Sequence, residues 1–203
     1  MKSRQRVGIF GGTFDPPHVG HQILAMEAYD ELQLDSLFWV LAPNPPHKAG
    51  LEIASLKIRI DMVKAAIQHN DIFKFSRVDI DRPGPHYVLD TVTIFKQLYP
   101  DSELVFVMGG DSLRDLHTWH KPHEFVDACD WLGVMHRPGD KIDMAEIEKD
   151  FPGISKKTRF VEAPLLEISS YQIRKLIASG KPYRYYLPPE VYKIVVEKNL
   201  YVD

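Results

Sequence analysis

The amino-acid sequence predicts an α/β protein, with an open parallel sheet, crossover helices and a small helical C-terminal extension. Short apolar runs alternate along the chain with segments of helical periodicity, which is typical of strands joined by crossover helices. Glycine, proline and polar residues follow several of these runs, as expected where strands end in loops. The 203 residues are enough for one well-buried domain, so we treat 1–203 as a single domain in which about 165–203 form the extension.

Six short apolar runs are the predicted strands. They are Val7–Phe10, Leu37–Leu41, Phe73–Val78, Leu104–Met108, Trp131–Met135 and Arg159–Val161. Right-handed crossovers would place the carboxyl ends of these strands along one edge of a Rossmann-like sheet, where ligands bind in open α/β folds. We therefore expect the loops Gly11–His21, Ala42–Lys48 and Gly109–Asp111 to converge at that edge.

Helices are predicted between the strands and near the C-terminus. Apolar residues spaced by three or four positions predict helices over residues 55–69 and 87–98. Ser170 is the predicted N-cap of a helix that ends near Gly180. A further helix is expected to start around Pro188–Pro189, because proline suits a first turn.

The composition limits the classes of partner. The formal net charge of −3 argues against a general nucleic-acid binder, which would carry a basic excess. No apolar stretch approaches membrane-spanning length, and the run after the basic N-terminus is too short for a signal-peptide core. The single cysteine, Cys129, excludes an internal disulfide framework and suits a reducing cytosol. We expect a cytoplasmic protein without a nucleic-acid or membrane partner, and the sequence leaves a homo-oligomer open.

The run from Gly11 to His21 follows the first predicted strand and has the character of a phosphate-binding turn. Gly11 and Gly12 carry no Cβ, so backbone N–H groups can approach a ligand closely. If a helix starts near Pro17 or His18, His18 and His21 share one face, because residues three apart on a helix are neighbours. The run lacks the glycine spacing of dinucleotide-binding folds, and the chain has no P-loop motif. Both observations argue against two classes of protein, the Rossmann dehydrogenases and the P-loop kinases.

Two loops after predicted strands add polar groups to this edge. Asn44, His47 and Lys48 lie in a proline-stiffened loop after the second strand. That loop suits an anion clamp, and the alternative is a proline-rich turn with a solvated lysine. Gly109 permits close approach of a ring or ribose, and Asp111 either caps the next helix or accepts a hydrogen bond from a ligand hydroxyl.

A serine pair and an arginine form a third candidate group. Ser169 and Ser170 stand at a predicted helix start, and Arg174 follows one turn later. Hydroxyls, unpaired N–H groups and a guanidinium fork together suit phosphate, whereas the alternative is a capped helix with a surface arginine.

Three histidines are spaced by three positions, and we interpret them separately. They are His117, His120 and His123. Such spacing can indicate a metal site, but Pro122 interrupts the helical face and no cysteine stands nearby as a further ligand. We favour solvated or capping histidines and predict no protein metal site.

The first turn and the serine segment resemble one superfamily. The nucleotidyltransferase signature G-x-F-D-P-x-H-x-G-H is met in full, by Gly12, Phe14, Asp15, Pro16, His18, Gly20 and His21. Ile168–Arg174 resembles the motif I-S-S-T-x-I-R, with Tyr171 in place of the usual serine or threonine. With Arg82–Tyr87, Met108–Leu113 and Trp119 included, nearly the whole chain is similar to bacterial nicotinate mononucleotide adenylyltransferases.

This resemblance implies transfer of AMP from ATP to nicotinate mononucleotide, giving deamido-NAD and pyrophosphate. It implies Mg²⁺ bound mainly through the ATP phosphates, and catalysis by His18, His21 and Arg174. The implied ATP-binding residues are Gly11, Gly12, Phe14, His18, His21, Gly109, Asp111, Ser169, Ser170 and Arg174. The implied nicotinate mononucleotide-binding residues are Asn44, His47, Lys48, His86, Tyr87, Val88 and Trp119.

The choice of acceptor rests on one segment and one ring. A helix that begins near Tyr87 would favour the carboxylate of nicotinate over a neutral amide, through its N–H groups and dipole. His86 and Val88 replace a serine and a threonine of the family pattern, which removes two hydroxyl contacts. Trp119 is expected to stack on the pyridine ring. The alternatives are a nucleotidyltransferase with another phosphorylated acceptor, a non-catalytic nucleotide sensor, and a relic of a class I aminoacyl-tRNA synthetase.

Overall fold

The protein is described by a computed structural model that covers residues 4–44, 53–136, 142–162, 164 and 166–202. Its strands are β1 (Arg6–Gly12), β2 (Ser36–Leu41), β3 (Phe73–Ser76), β4 (Glu103–Gly109), β5 (Trp131–His136) and β6 (Thr158–Glu162). They form one parallel sheet in the order β3-β2-β1-β4-β5-β6. The predicted α/β fold and its six strands are confirmed. The strand order reverses between β1 and β4, so a crevice is expected at the carboxyl ends of these two strands.

Helices connect the strands and complete the C-terminal region. Those in the described residues are α1 (Val19–Glu31), α2 (Leu56–Ile67), α3 (Val88–Leu98), α4 (Gly110–Arg114), α5 (Pro122–Ala128), α6 (Met144–Asp150), α7 (Ile154–Lys157), α8 (Ser170–Ala178) and α9 (Pro189–Glu197). The predicted helices over 55–69 and 87–98 are α2 and α3, and both are confirmed. In the part of the chain that the structure describes, no helix is long and apolar enough to cross a membrane.

The inner strands of the sheet are buried on both faces. On one face Phe10 and Trp39 pack in a cluster with residues of α1, α2, α8 and α9. On the other face Ile9 and Phe106 pack with residues of α3 and α5. Parallel strands that are covered on both faces need apolar residues at nearly every position, which explains the apolar runs of the sequence. The loops at the carboxyl ends of the strands form one rim of the sheet. The candidate active site is described at this rim.

The C-terminal helices begin and end almost as predicted. The N-cap of α8 is Ser169, whose Oγ accepts a hydrogen bond from the N–H of Gln172 at 3.1 Å, so the prediction of Ser170 as the cap was wrong by one residue. Ser169 has the extended backbone that a cap requires, whereas Ser170 is already helical. Gly180, with φ of +63°, follows the end of α8, and α9 starts at Pro189.

Candidate active site

The two histidines of the first turn lie together at the start of α1. His18 is the N-cap, its backbone extended, and its N–H donates to Nδ1 of His21 at 3.1 Å. The two rings are 3.7 Å apart between centroids. A Cβ at Gly20 would lie 3.0 Å from Nδ1 of His18, so a larger residue there would displace this imidazole. The expected pairing is therefore present, but helix capping produces it and not a shared helix face.

The hydrogen bond between the two residues assigns a proton position on His21. A ring nitrogen that accepts a hydrogen bond carries no proton, so a neutral His21 holds its proton on Nε2. Nε2–H is then a donor of the kind that a phosphate oxygen accepts.

Buried aromatic side chains support the ring of His21. The centroid of Phe14 lies 5.2 Å from that of His21, and Trp39 lies 6.3 Å away. Phe14 is only 2% exposed, so its side chain belongs to the core and only its backbone is left for the predicted ATP contact. Its ring folds back over Gly12, where a Cβ would come within 2.7 Å of Cζ, so this turn requires a glycine.

The start of α8 is attached to the same turn. Ser170 Oγ donates to the carbonyl of Pro16 at 2.8 Å, and Arg174 Nη1 donates to the carbonyl of Asp15 at 2.7 Å. These contacts join segments more than 150 residues apart, with separations of 154 and 159 positions. The structure thus brings Ser170 and Arg174 to the turn from Gly12 to His21, which is called the histidine turn below.

Arg59 on α2 has a central position that the sequence analysis did not assign. Its side chain is 1% exposed and donates to four backbone carbonyls, of Thr13, Ala42, Pro43 and Ala54, at 2.6 to 3.1 Å. Burial lowers the pKa of Arg59 from the ordinary arginine value. The negative charge of Asp15 acts in the opposite direction and raises this pKa. The sequence signal was a charged residue next to the apolar stripe of an amphipathic helix.

The loop after β2 is held beside the histidine turn by these bonds. The N–H of Ala42 also donates to the carbonyl of Gly12 at 2.9 Å. Asn44 is exposed at the end of this stretch. His47 and Lys48, predicted to bind the acceptor, lie outside the described residues.

The end of β4 lies next to β1, and it supplies the predicted residues Gly109 and Asp111. Gly109 is the N-cap of α4, so of the two roles considered for Asp111 the N-cap position is excluded, and contact with a ligand hydroxyl stays a prediction. The Oδ1 atom of Asp111 accepts from the N–H of Ser112 at 2.9 Å, and Asp111 is exposed. Because β1 and β4 are paired, the strand ends at Gly12 and Gly109 share one rim of the sheet.

The predicted acceptor residues before α3 lie close to those after α4. Tyr87 is the N-cap of α3, as expected, and its ring stacks on His120 at 3.8 Å between centroids. Trp119 is half-buried, with its ring 5.2 Å from Phe125 and 6.2 Å from Phe106. His86 is also half-buried, and its Nδ1 atom is fully buried. Tyr87 thus contacts His120, the residue directly after Trp119, so these two segments are neighbours.

The three spaced histidines separate in the fold. His120 contacts Tyr87, whereas His123 packs on Phe151 at 4.8 Å, and Nδ1 of His117 lies 3.2 Å from the carbonyl of Arg114. Over the described ranges, no three His, Cys, Asp or Glu side chains lie close enough together to hold a metal ion.

Comparisons with known proteins agree with this fold. A profile of the cytidylyltransferase-like family matches residues 9–176. A nicotinate-nucleotide adenylyltransferase of Bacillus subtilis is 38% identical over 197 residues, covering 97% of this chain and 98% of its own. A relative from Thermomicrobium roseum, named "Probable nicotinate-nucleotide adenylyltransferase", is 42% identical over 196 residues, covering 97% of this chain and 91% of its own.

Solved structures show the same fold. Nicotinic acid mononucleotide adenylyltransferase of Plasmodium falciparum, complexed with NaAD, has a TM-score of 0.79 at 20% identity, with 97% of each chain covered. The same enzyme complexed with APC has a TM-score of 0.78 at 21% identity, with the same coverage. The family match over residues 9–176 identifies the class of protein. The chain belongs to the cytidylyltransferase-like family. Its close relatives within that family are the nicotinate-nucleotide adenylyltransferases.

Proposed function

We propose that the protein transfers the adenylyl group of ATP to nicotinate mononucleotide, giving deamido-NAD and pyrophosphate, as a step of NAD biosynthesis. One observation carries this proposal: the paired rings of His18 and His21 lie at the start of α1, and Ser170 and Arg174 of α8 donate to backbone carbonyls of the turn just before it. Two imidazoles, a guanidinium and the N–H groups of a helix start form a set of donors for a triphosphate.

The chemistry needs positioning and charge neutralisation more than a base. The attacking group is a phosphate oxygen of the mononucleotide, which is already ionised at neutral pH. It forms a bond to the α-phosphorus of ATP, and the bond to the bridging oxygen breaks, so pyrophosphate leaves with the electron pair. His21, through Nε2–H, and Arg174 are suited to stabilise the charge that develops on the bridging and β-phosphate oxygens, and His18 contacts the ATP phosphates.

The donor set also fits Mg²⁺ that is bound mainly through ATP. Asp15 is the carboxylate of the turn, and it is fully buried, with Oδ1 already accepting from Tyr201 and Ala54. Since the described residues gather no three ligating side chains, the ion would take most of its ligands from phosphate oxygens and water. Mg²⁺ bound there neutralises part of the triphosphate charge.

We assign the acceptor to the residues around the start of α3. The N-terminus of α3, just after Tyr87, favours the carboxylate of nicotinate. His86 and Val88 flank this position, and Trp119 supplies a ring for the pyridine. Asn44 belongs to the same proposed set, together with His47 and Lys48 for the acceptor phosphate.

The test is pyrophosphate release with ATP and Mg²⁺, with nicotinate mononucleotide, nicotinamide mononucleotide and phosphopantetheine compared at equal concentration. We expect strong preference for the nicotinate form. Preference for the amide form would keep the chemistry and refute the carboxylate argument at α3. Absence of release with all three would refute the proposed acceptor and favour another acceptor or a nucleotide sensor.

The cellular setting and assembly are part of the same proposal. An ATP-dependent reaction and a single cysteine suit a cytoplasmic enzyme with neither nucleic acid nor membrane as a partner. Light scattering after size exclusion would decide between a monomer and a homo-oligomer.

A further inference from the structure

A tyrosine at the C-terminal end of the described chain reaches the histidine turn. Tyr201 lies beyond α9, and its Oη donates to Oδ1 of Asp15 at 2.6 Å, across 186 sequence positions. Burial, followed by the charge and hydrogen bond of Asp15, raises the pKa of Tyr201 far above its usual range. The hydroxyl therefore keeps its proton and remains a donor.

The carboxylate that receives this bond is fully buried. Asp15 has 0% exposure, and its Oδ1 accepts a second bond from the N–H of Ala54 at 3.2 Å. Its Oδ2 has no hydrogen-bond partner in the part of the chain described, and Nη1 of Arg174 lies 3.9 Å away. A buried carboxylate requires donors and positive charge around it, so Tyr201 and Arg174 together stabilise this one.

Asp15 in turn holds the guanidinium of Arg174 at one end. Nη1 donates to the Asp15 carbonyl at 2.7 Å and faces the carboxylate of the same residue. Within the described ranges, Nε and Nη2 of Arg174 make no hydrogen bond, and its side chain is 19% exposed. One end is fixed while the remaining donors are left for phosphate, an arrangement suited to bidentate binding.

We propose that Tyr201 is a positioning residue for adenylyl transfer: its hydroxyl holds the Asp15 carboxylate, which orients Arg174 toward the leaving pyrophosphate. The inference rests on the proposed function for the reaction and for the role of Arg174 at the leaving pyrophosphate. The contact network itself concerns the triphosphate end of the site.

Tyr201→Phe removes the hydroxyl and keeps the ring. We expect kcat to fall about tenfold, the scale of one lost hydrogen bond to a charged group, while the KM for nicotinate mononucleotide stays within about twofold. Tyr192→Phe is the matched control, because Tyr192 is also half-buried and its hydroxyl makes no hydrogen bond to the described residues. A wild-type kcat for Tyr201→Phe would overturn the proposal, as would an equal loss in the control.

A double-mutant cycle separates positioning from a general structural role. In an Arg174→Ala background the hydroxyl has nothing left to orient, so adding Tyr201→Phe should change kcat by less than about twofold. The same tenfold loss in both backgrounds would show that Tyr201 does not act through Arg174, and would overturn the proposal.

Calorimetric binding of pyrophosphate with Mg²⁺ tests the network without any acceptor. We expect Tyr201→Phe to weaken binding about fivefold, measured below the melting temperature of the least stable variant. Unchanged affinity would overturn the positioning role. A wild-type protein that binds pyrophosphate but does not use nicotinate mononucleotide would refute the proposed acceptor and leave this measurement valid.

Discussion

Arg59→Met tests whether one buried guanidinium holds the loops of the site. The wild-type side chain donates four hydrogen bonds, the shortest to Pro43 at 2.6 Å and Ala42 at 2.8 Å. Methionine has similar length and no donor, so these carbonyls and those of Thr13 and Ala54 lose their charged partner. Hydrogen bonds from a charged group contribute about 1.5–3 kcal/mol each, but removal of the charge also recovers its desolvation cost. We expect a net loss of about 3–5 kcal/mol in the free energy of unfolding.

The assay is urea unfolding, with kcat and KM measured on the same samples. With an m-value of about 2 kcal/mol/M, the loss corresponds to a midpoint lowered by about 2 M urea. Because Arg59 holds the carbonyls of Ala42 and Pro43, just before Asn44, the KM for the acceptor should rise as well. Arg59→Lys keeps the charge without the fork and should give a smaller loss.

The matched control is Arg77→Met, because Arg77 pairs with Asp81 on the surface, where both side chains are at least half exposed. Exposed pairs contribute little, so the midpoint should hardly move. Equal midpoints for Arg59→Met and the wild type would refute the role given to Arg59, as would equal losses in the two methionine variants.

Three further changes test the site and its surroundings. His21→Ala should leave the fold intact and lower kcat by about two orders of magnitude, the scale of a lost transition-state donor; near-wild-type pyrophosphate release would refute its role. The hydrogen bond from Arg6 is the main cause of the lowered pKa of Glu103, so this carboxylate adds stability above the ordinary glutamate range that is lost as the pH falls through the lowered pKa. Acid-unfolding curves should show a smaller pH-dependent loss for Glu103→Gln, and an unchanged curve would contradict the argument. Burial raises the pKa of the Cys129 thiol far above its usual range, so a thiol reagent at neutral pH should label it only after unfolding, and rapid labelling of the native protein would contradict that burial.

The inner strands could be predicted because they are buried on both faces, whereas the edge strands β3 and β6 expose some of their side chains. A run such as Val7–Phe10 has to be apolar at nearly every position, and that pattern is local. The prediction for β3 was too long at its end, since the strand stops at Ser76. There the Oγ of Ser76 accepts from the N–H of Val78, and Arg77 pairs with Asp81, so a turn takes the place of the last two predicted positions.

The helix caps show which helix starts a local sequence pattern can predict and which it cannot. Tyr87 and Pro189 were assigned correctly at helix starts, whereas Ser170 was assigned one position too far along the chain. Two adjacent serines are equally good caps by composition. In the fold, Ser169 takes the cap position, and the hydroxyl of Ser170 donates instead to the Pro16 carbonyl, 154 positions earlier.

The sequence by itself determined the parallel sheet, the histidine turn at its rim and the serine–arginine segment, because strand burial and phosphate-binding turns leave short local patterns. Only the tertiary structure decided that Arg59 clamps the loops and that Tyr201 reaches Asp15. These roles depend on burial and on contacts between distant segments. A buried arginine and an exposed arginine are written with the same letter in a sequence. Only the packing around the side chain decides which groups it binds.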